Sequence, residues 1–361
     1  MRAAWAAINL DALAHNLRLI RQQAPGKRII AVLKANAYGH GLARIAEALS
    51  SVEALGVARL DEALELRKSG ITQPIVLLEG FFASEQLPVL AAGNIQPVLH
   101  HEWQIEALLA HGGISDPLKV WLKVDTGMHR LGVEPDSAKK WYQALSASQN
   151  VNGQPVLMSH LACADDSEHE KNSSQLGVFG QLVLDIEPVS TSLANSAALF
   201  ATLGSEYDWV RPGLALYGIN PLTRSAPENS PVTYLRPVMN LNADVISTRA
   251  IGAGDTVGYG ATWSSAVPTQ LGIVAIGYGD GYPRHAPEGT PVWINGVCYP
   301  LVGRVAMDMI TVNLGAESSV KVGDTAQLWG EQLPVETVAK WVGTIPYELL
   351  CNVAKRVTLE Y

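Results

Sequence analysis

Between residue 28 and about residue 215, short apolar runs alternate with segments that carry one apolar face. The runs, rich in aliphatic and β-branched residues, fall at 29–33, 55–58, 74–78, 95–99, 120–124, 155–161, 191–194 and 209–211. Segments such as 61–68, 102–111, 137–147 and 176–186 lie between them with helical spacing. Leu10, Leu13, Leu17 and Ile20 mark a further helix face ahead of the first run. Continuous apolar runs of this length predict parallel strands buried on both faces. Eight strand–helix alternations predict a closed (β/α)8 barrel of the TIM type. A doubly wound open sheet competes with it, and spacing alone does not separate the two.

The pattern changes at residues 220–237, a stretch rich in Pro, Ser and Asn that reads as an interdomain linker. Beyond it the signals are those of β structure. Runs at 291–294 and 297–301 flank Asn295-Gly296, a strong hairpin signal. Gly254-Asp255 and Gly323-Asp324 each introduce a further strand, and one helix is expected at 335–342. The predicted architecture is therefore a barrel domain over residues 1–233 and a smaller, mostly β domain over 234–361.

Composition narrows the class. Hydrophobic residues make up 48% and charged ones 17%, the balance of a well-folded soluble chain of 361 residues. A net charge of -8 and the lack of a Lys/Arg stripe argue against nucleic-acid binding. No run approaches the ~20 apolar residues of a membrane span, and the N-terminal sequence lacks an export pattern, so a cytoplasmic protein is expected. Cys163, Cys298 and Cys351 are odd in number and far apart, as expected of reduced structural thiols. His160 and Cys163 lie three apart without a second ligand pair, so no metal site is expected.

Candidate chemistry gathers where the barrel strands would end, the face on which such barrels carry their active sites. Lys34 follows the first run, in RIIAVLKANAYGHG, before a turn punctuated by Asn36, Gly39 and Gly41. A lysine there is partly desolvated, which lowers its pKa and suits it to Schiff-base or proton-transfer chemistry. Taken alone, a snorkelling surface lysine is the competing reading. Lys123, Asp125 and Arg130 follow the fifth run, His160 the sixth, Asn195 and Ser196 the seventh, and Arg211 closes the eighth. In the segment DWVRPGLALYGIN, Gly213 and Leu214 offer free backbone N–H groups to a phosphate, with Arg211 pointing to the same place. Asn195-Ser196 fits a helix N-terminus with a hydroxyl available to the same anion. Lys123 and Arg130 flank a tight Asp-Thr-Gly turn, and two cations in one pocket call for a neutralising group.

These motifs, with VGYGATW, IGYGDGYPR and VGRVAMDM in the second domain, resemble in order and over nearly the whole chain those of the alanine racemases, which use pyridoxal 5′-phosphate (PLP). The resemblance implies that Lys34 carries PLP and acts as the base on the D-specific side, while Tyr259 is the base for L-alanine. A free tyrosine is a poor base at neutral pH, so its phenolate would need His160 and Arg211 nearby. By the same resemblance Tyr38, Ser196, Asn195, Gly213 and Leu214 bind cofactor, His160 packs against its face, and Arg211 meets its pyridine nitrogen. Lys123 becomes carbamylated and braces Arg130 at the phenolic oxygen. Arg130 and the Met307 N–H hold the substrate carboxylate, and Tyr278 narrows the entrance. The active sites of a homodimer are then composite, and D-alanine serves peptidoglycan synthesis or takes part in alanine catabolism. One departure is visible: where some relatives place a tyrosine before the final Arg-Val, this chain has Lys355.

Three rivals weigh less. Barrel-fold PLP decarboxylases usually set a carboxylate where Arg211 stands. Broad-specificity racemases are often exported. Noncatalytic PLP carriers lack a counterpart of residues 238–361.

Overall fold

Each apolar run can satisfy its backbone only in a ladder and its side chains only between two layers, and closure of the sheet meets both needs. In the computed structural model, which describes residues 1–112, 114, 116–223 and 230–361, the chain opens with β1 (Trp5–Ile8) and a helix at Leu10–Gln23. The barrel follows as β2 (Arg28–Val32), β3 (Ala54–Val57), β4 (Ile75–Leu77), β5 (Ile95–Leu99), β6 (Trp121–Lys123), β7 (Val156–Met158), β8 (Thr191–Asn195) and β9 (Trp209–Arg211). Each strand pairs in parallel with the next, and β2 returns to β9 with Arg28 opposite Trp209. Closure excludes the open sheet that spacing left possible. Ile30, Val76, Val98 and Met158 fill the interior around Trp121 and Trp209, whose rings meet edge to face at 5.3 Å. The barrel is a packed core that leaves chemistry to its rim.

The second layer of β structure is built on β10 (Met239–Ile251). It continues through β11 (Thr256–Val257), β12 (Trp263–Ser264), β13 (Thr269–Val274), β14 (Pro291–Ile294), β15 (Val297–Pro300), β16 (Ile310–Gly315), β17 (Thr325–Trp329) and β18 (Thr358–Glu360). β10 pairs with β1, β13 and β17, with register shifts at 241/242 and 245/247 that let one long strand serve two halves of the sheet. The hairpin between β14 and β15 forms where expected, with Asn295 and Gly296 at φ 48 and 90 as its tight turn requires.

Three expectations need correction. β1 does not belong to the first domain's sheet: Trp5 pairs antiparallel with Asn242 and parallel with Thr358, so residues 5–8 sit in the β domain. Four residues carry too little periodicity to reveal their partner. The C-terminal region holds a second helix, Pro346–Cys351, beside the expected one at Val335–Val342; six residues opened by proline read as a turn. Cys298 and Cys351 are free but exposed, whereas structural thiols are usually buried. Of the linker at 220–237, residues 224–229 lie outside the described residues, and Pro231–Tyr234 forms a 3-10 turn. Buried Asn16 fastens the linker's far end: its amide donates to Leu216 O and Arg236 O (3.0 and 2.8 Å) and accepts from Arg236 N (2.9 Å). Among the described residues no helix is long and apolar enough to cross a membrane.

Candidate active site

After β2 the chain turns left-handed. Ala35, Asn36, Ala37 and Tyr38 have φ of 55, 55, 52 and 53. For residues with a Cβ this conformation costs roughly 1–2 kcal/mol each, so single residues are the rule and four in succession are not. The sequence places a turn here correctly, but it gives no sign of its hand. Ala37 N donates to Leu33 O (2.7 Å) and Gly39 N to Ala35 O (3.0 Å), closing the turn. Lys34 opens it and is exposed at the barrel mouth, not partly desolvated as expected, because it lies beyond the last buried residues of β2.

Tyr38 closes the turn and is buried, its ring 4.8 Å from Tyr217 and 5.8 Å from Tyr347. Burial, then Tyr347 and Cys351, push its phenol above the usual range, so it remains a donor at neutral pH. A Cβ on Gly213 would come within 2.6 Å of its hydroxyl oxygen and displace it. From β8, Asn195 caps the helix Ser196–Phe200 by accepting from Ala198 N at 2.9 Å. Ser196 Oγ accepts from Gly213 N (2.9 Å) and Ala215 N (3.3 Å), which leaves its own O–H to donate elsewhere. The expected free N–H groups of Gly213 and Leu214 are thus corrected in part: the Gly213 N–H is engaged, and Ala215 joins it at Ser196. Hydroxyls from Tyr38 and Ser196 and a backbone glycine converge from the ends of β2, β8 and β9, a cradle suited to a phosphate.

Arg211 lies buried beneath this cradle. Nη1 donates to Ser192 Oγ (2.6 Å), and Nη2 donates to Ser159 O (2.7 Å) and Leu193 O (3.1 Å) and faces His160 Nδ1 at 3.2 Å. All these acceptors are neutral. Burial lowers its pKa to about 10, still a cation at neutral pH. His160 has Asn195 Nδ2 3.3 Å from its Nε2. Burial and then Arg211, Lys123, Arg130 and Lys34 hold it well below the usual histidine range, so the ring is neutral. Lys123, also buried, is lowered to about 7, first by burial and then by Arg211 and Arg130, against the opposing pull of Asp125. The loop that carries Arg130 is folded back: Asp125 Oδ1 accepts from Gly127 N and His129 N (2.8 and 3.1 Å), and Val133 N donates to Lys123 O (2.9 Å). The site is a neutral imidazole and a half-titrated amine among cations.

The β domain's candidates are not brought to this cluster within one chain. Tyr259 is 71% exposed on the turn Tyr259–Ala261. Tyr278 and Met307 are exposed on loops that are joined to each other: Tyr278 N donates to Ala306 O (3.0 Å) and Gly279 N to Met307 O (2.9 Å). Arg356 braces both loops, reaching Asp280 (2.7 Å), Asp308 (2.9 Å) and Met307 O (3.3 Å). It stands beside the noted departure at Lys355, and adjacency was its only signal.

The family model for the N-terminal domain of alanine racemase matches residues 8–221, and that for the C-terminal domain matches residues 238–361. An alanine racemase from Shewanella sp. (strain MR-7) is 50% identical over 98% of this chain and 98% of its own length. One from Yersinia pestis is 50% identical over 100% of this chain and 99% of its own. Among solved structures, biosynthetic alanine racemase from Pseudomonas aeruginosa is 42% identical with a TM-score of 0.94, covering 100% of this chain and 99% of that one. Alanine racemase from Bartonella henselae with covalently bound pyridoxal phosphate is 32% identical with a TM-score of 0.90, covering 100% of both chains.

Proposed function

The chain belongs to the alanine racemase family, and from that premise we propose how its residues interconvert L- and D-alanine. The observation that carries the reading is the convergence of Lys34, the Tyr38–Ser196–Gly213 cradle and an Arg211 held by neutral acceptors at one end of the barrel. These residues fit PLP. Lys34 would bind its aldehyde carbon, Tyr38, Ser196 and the Leu214 N–H its phosphate, and Arg211 its ring nitrogen. The cofactor's contribution, when bound, is to withdraw electrons from the substrate's Cα and make its proton removable.

The remaining work belongs to the protein. Arg211 only donates and stays charged, so it cannot leave a proton on the ring nitrogen as a carboxylate can, and the electron withdrawal is held in check. His160 stays neutral and fixes the Arg211 side chain by facing Nη2. Arg130 neutralises the cofactor's phenolic oxygen, with Lys123, as a carbamate, bracing it. The Met307 N–H has no hydrogen-bond partner among the described residues and serves the substrate carboxylate together with Arg130. Racemisation needs a proton taken from one face of Cα and returned on the other. Lys34 serves the D-specific face and Tyr259 the L-specific face. Because Tyr259, Tyr278 and Met307 lie exposed on their own chain, they are assigned to the barrel mouth of a second subunit in a homodimer.

Borohydride reduction of the PLP-loaded enzyme followed by peptide mapping is expected to find the fixed cofactor on Lys34. Label on another lysine would overturn the assignment.

A further inference from the structure

The left-handed turn between Lys34 and Tyr38 stores strain beside the reacting groups, so something outside it must hold it in place. Two side chains do so from opposite ends, and neither has a role in the chemistry above. Glu62, half-buried in the first turn of the helix after β3, accepts from Ala58 N and Arg59 N through Oε2 (2.9 and 3.1 Å). Its Oε1 reaches across to accept from Ala35 N at 2.6 Å, the amide next to Lys34. His40 is fully buried, its ring tilted against that of Tyr217 with centroids 4.5 Å apart. Its Nδ1 lies 2.8 Å from Tyr38 O and 3.1 Å from Ala37 O. Both partners are carbonyls, so Nδ1 carries a proton; Nε2 is buried without a partner for a second one. Burial keeps this histidine neutral, lowering its pKa to about 4.

We propose that His40 and Glu62 are positioning residues that clamp the left-handed turn and thereby set Lys34 and Tyr38 at the cofactor. Glu62 fixes the turn's first amide to the β3 side of the barrel, and His40 fixes its last two carbonyls from below. Asn36 Oδ1, accepting from Leu42 N at 2.9 Å, ties the turn's middle to the helix that follows. The backbone of His40 is itself held, its carbonyl accepting from Tyr361 Oη at 3.0 Å. A clamp of this kind acts through hydrogen bonds, whereas a space-filling histidine would act through volume. The two roles rank substitutions differently. Asparagine places Nδ2 at the same remove from the backbone as histidine's Nδ1 and keeps the donor; leucine keeps the volume and loses it.

The inference rests on the reading of Lys34 as the cofactor residue, and the wild-type holoenzyme tests that reading in the same experiment. Holoenzymes of wild type, His40→Asn, His40→Leu and Glu62→Ala are dialysed against cofactor-free buffer, with the visible absorption followed in time and alanine kinetics measured alongside. Loss of the hydrogen bonding that holds one end of the turn corresponds to about a tenfold change, and that is the acceleration of cofactor release expected for His40→Leu and Glu62→Ala. In both, kcat falls while KM for alanine stays within about threefold, since the substrate's own contacts are untouched. His40→Asn keeps release within about threefold of wild type. If His40→Leu does not fold, Glu62→Ala, at a half-buried site, carries the test. Release from His40→Asn as fast as from His40→Leu, or wild-type release from Glu62→Ala, overturns the clamp. A wild-type protein without a visible band when loaded with PLP overturns the cofactor reading instead.

Discussion

Lys123 shows how far a residue's chemistry depends on its neighbours. The sequence reveals two cations across a tight turn, Lys123 and Arg130, but it does not show that Arg211 and Lys34 act on the same amine or that Lys123 is buried. Burial and repulsion lower its pKa to about 7, so the neutral amine is the minor form below that pH and the major form above it. Only the neutral amine attacks carbon dioxide; the product is a carbamate anion and a released proton, and the anion relieves the cluster. Labelled carbon dioxide should therefore give a carbamate NMR signal that grows as pH rises through about 7. The signal should be absent in Lys123→Met, and a wild-type protein without it would remove the modification. Elsewhere at this scale, the strand-end positions of Lys34, Arg211, His160 and Ser196 were legible because each lies at or just past the end of an apolar run. His40 and Glu62 were not, since a buried donor and a reaching carboxylate become visible only when the loops between them are placed.

Among the elements, strands and long helices follow the apolar pattern closely, because burial on two faces or one leaves a period in the sequence. The turn after β2 does not. Gly39 and Gly41 signal a bend, whereas the left-handed run of Ala35 to Tyr38 uses, apart from Asn36, residues with no preference for it; packing from outside imposes the hand. Gly39 is where that packing is tightest: at φ 80 it faces the helix Pro346–Cys351, and a Cβ there would lie 2.2 Å from Leu350 O. Gly296, at φ 90 in the β14–β15 hairpin, has nothing within 4 Å. Gly39→Ala should destabilise by about 3 kcal/mol and loosen cofactor binding, whereas Gly296→Ala should cost about 1 kcal/mol and leave activity unchanged. Thermal melts of the two variants check this. Equal losses would mean that the turn is not pressed by the β domain.

The whole molecule is where the sequence says least. β1 crosses into the other domain's sheet and the helix Pro346–Cys351 presses on the left-handed turn after β2, so the two domains share more than a linker. Neither contact leaves a local pattern, because both partners are distant in sequence. The same holds for Tyr259, the proposed second base. Lys34 stands at the barrel mouth, and Tyr259 stands exposed on the β domain of the same chain. The central claim is that two subunits complete each site, and mixed dimers test it most directly. Lys34→Ala and Tyr259→Phe homodimers should each be nearly inactive, since every site lacks one base. Heterodimers of the two variants should recover about half of wild-type activity, because one of two sites again holds both. Demonstrated subunit exchange with no recovery would place both bases in one chain and contradict the account.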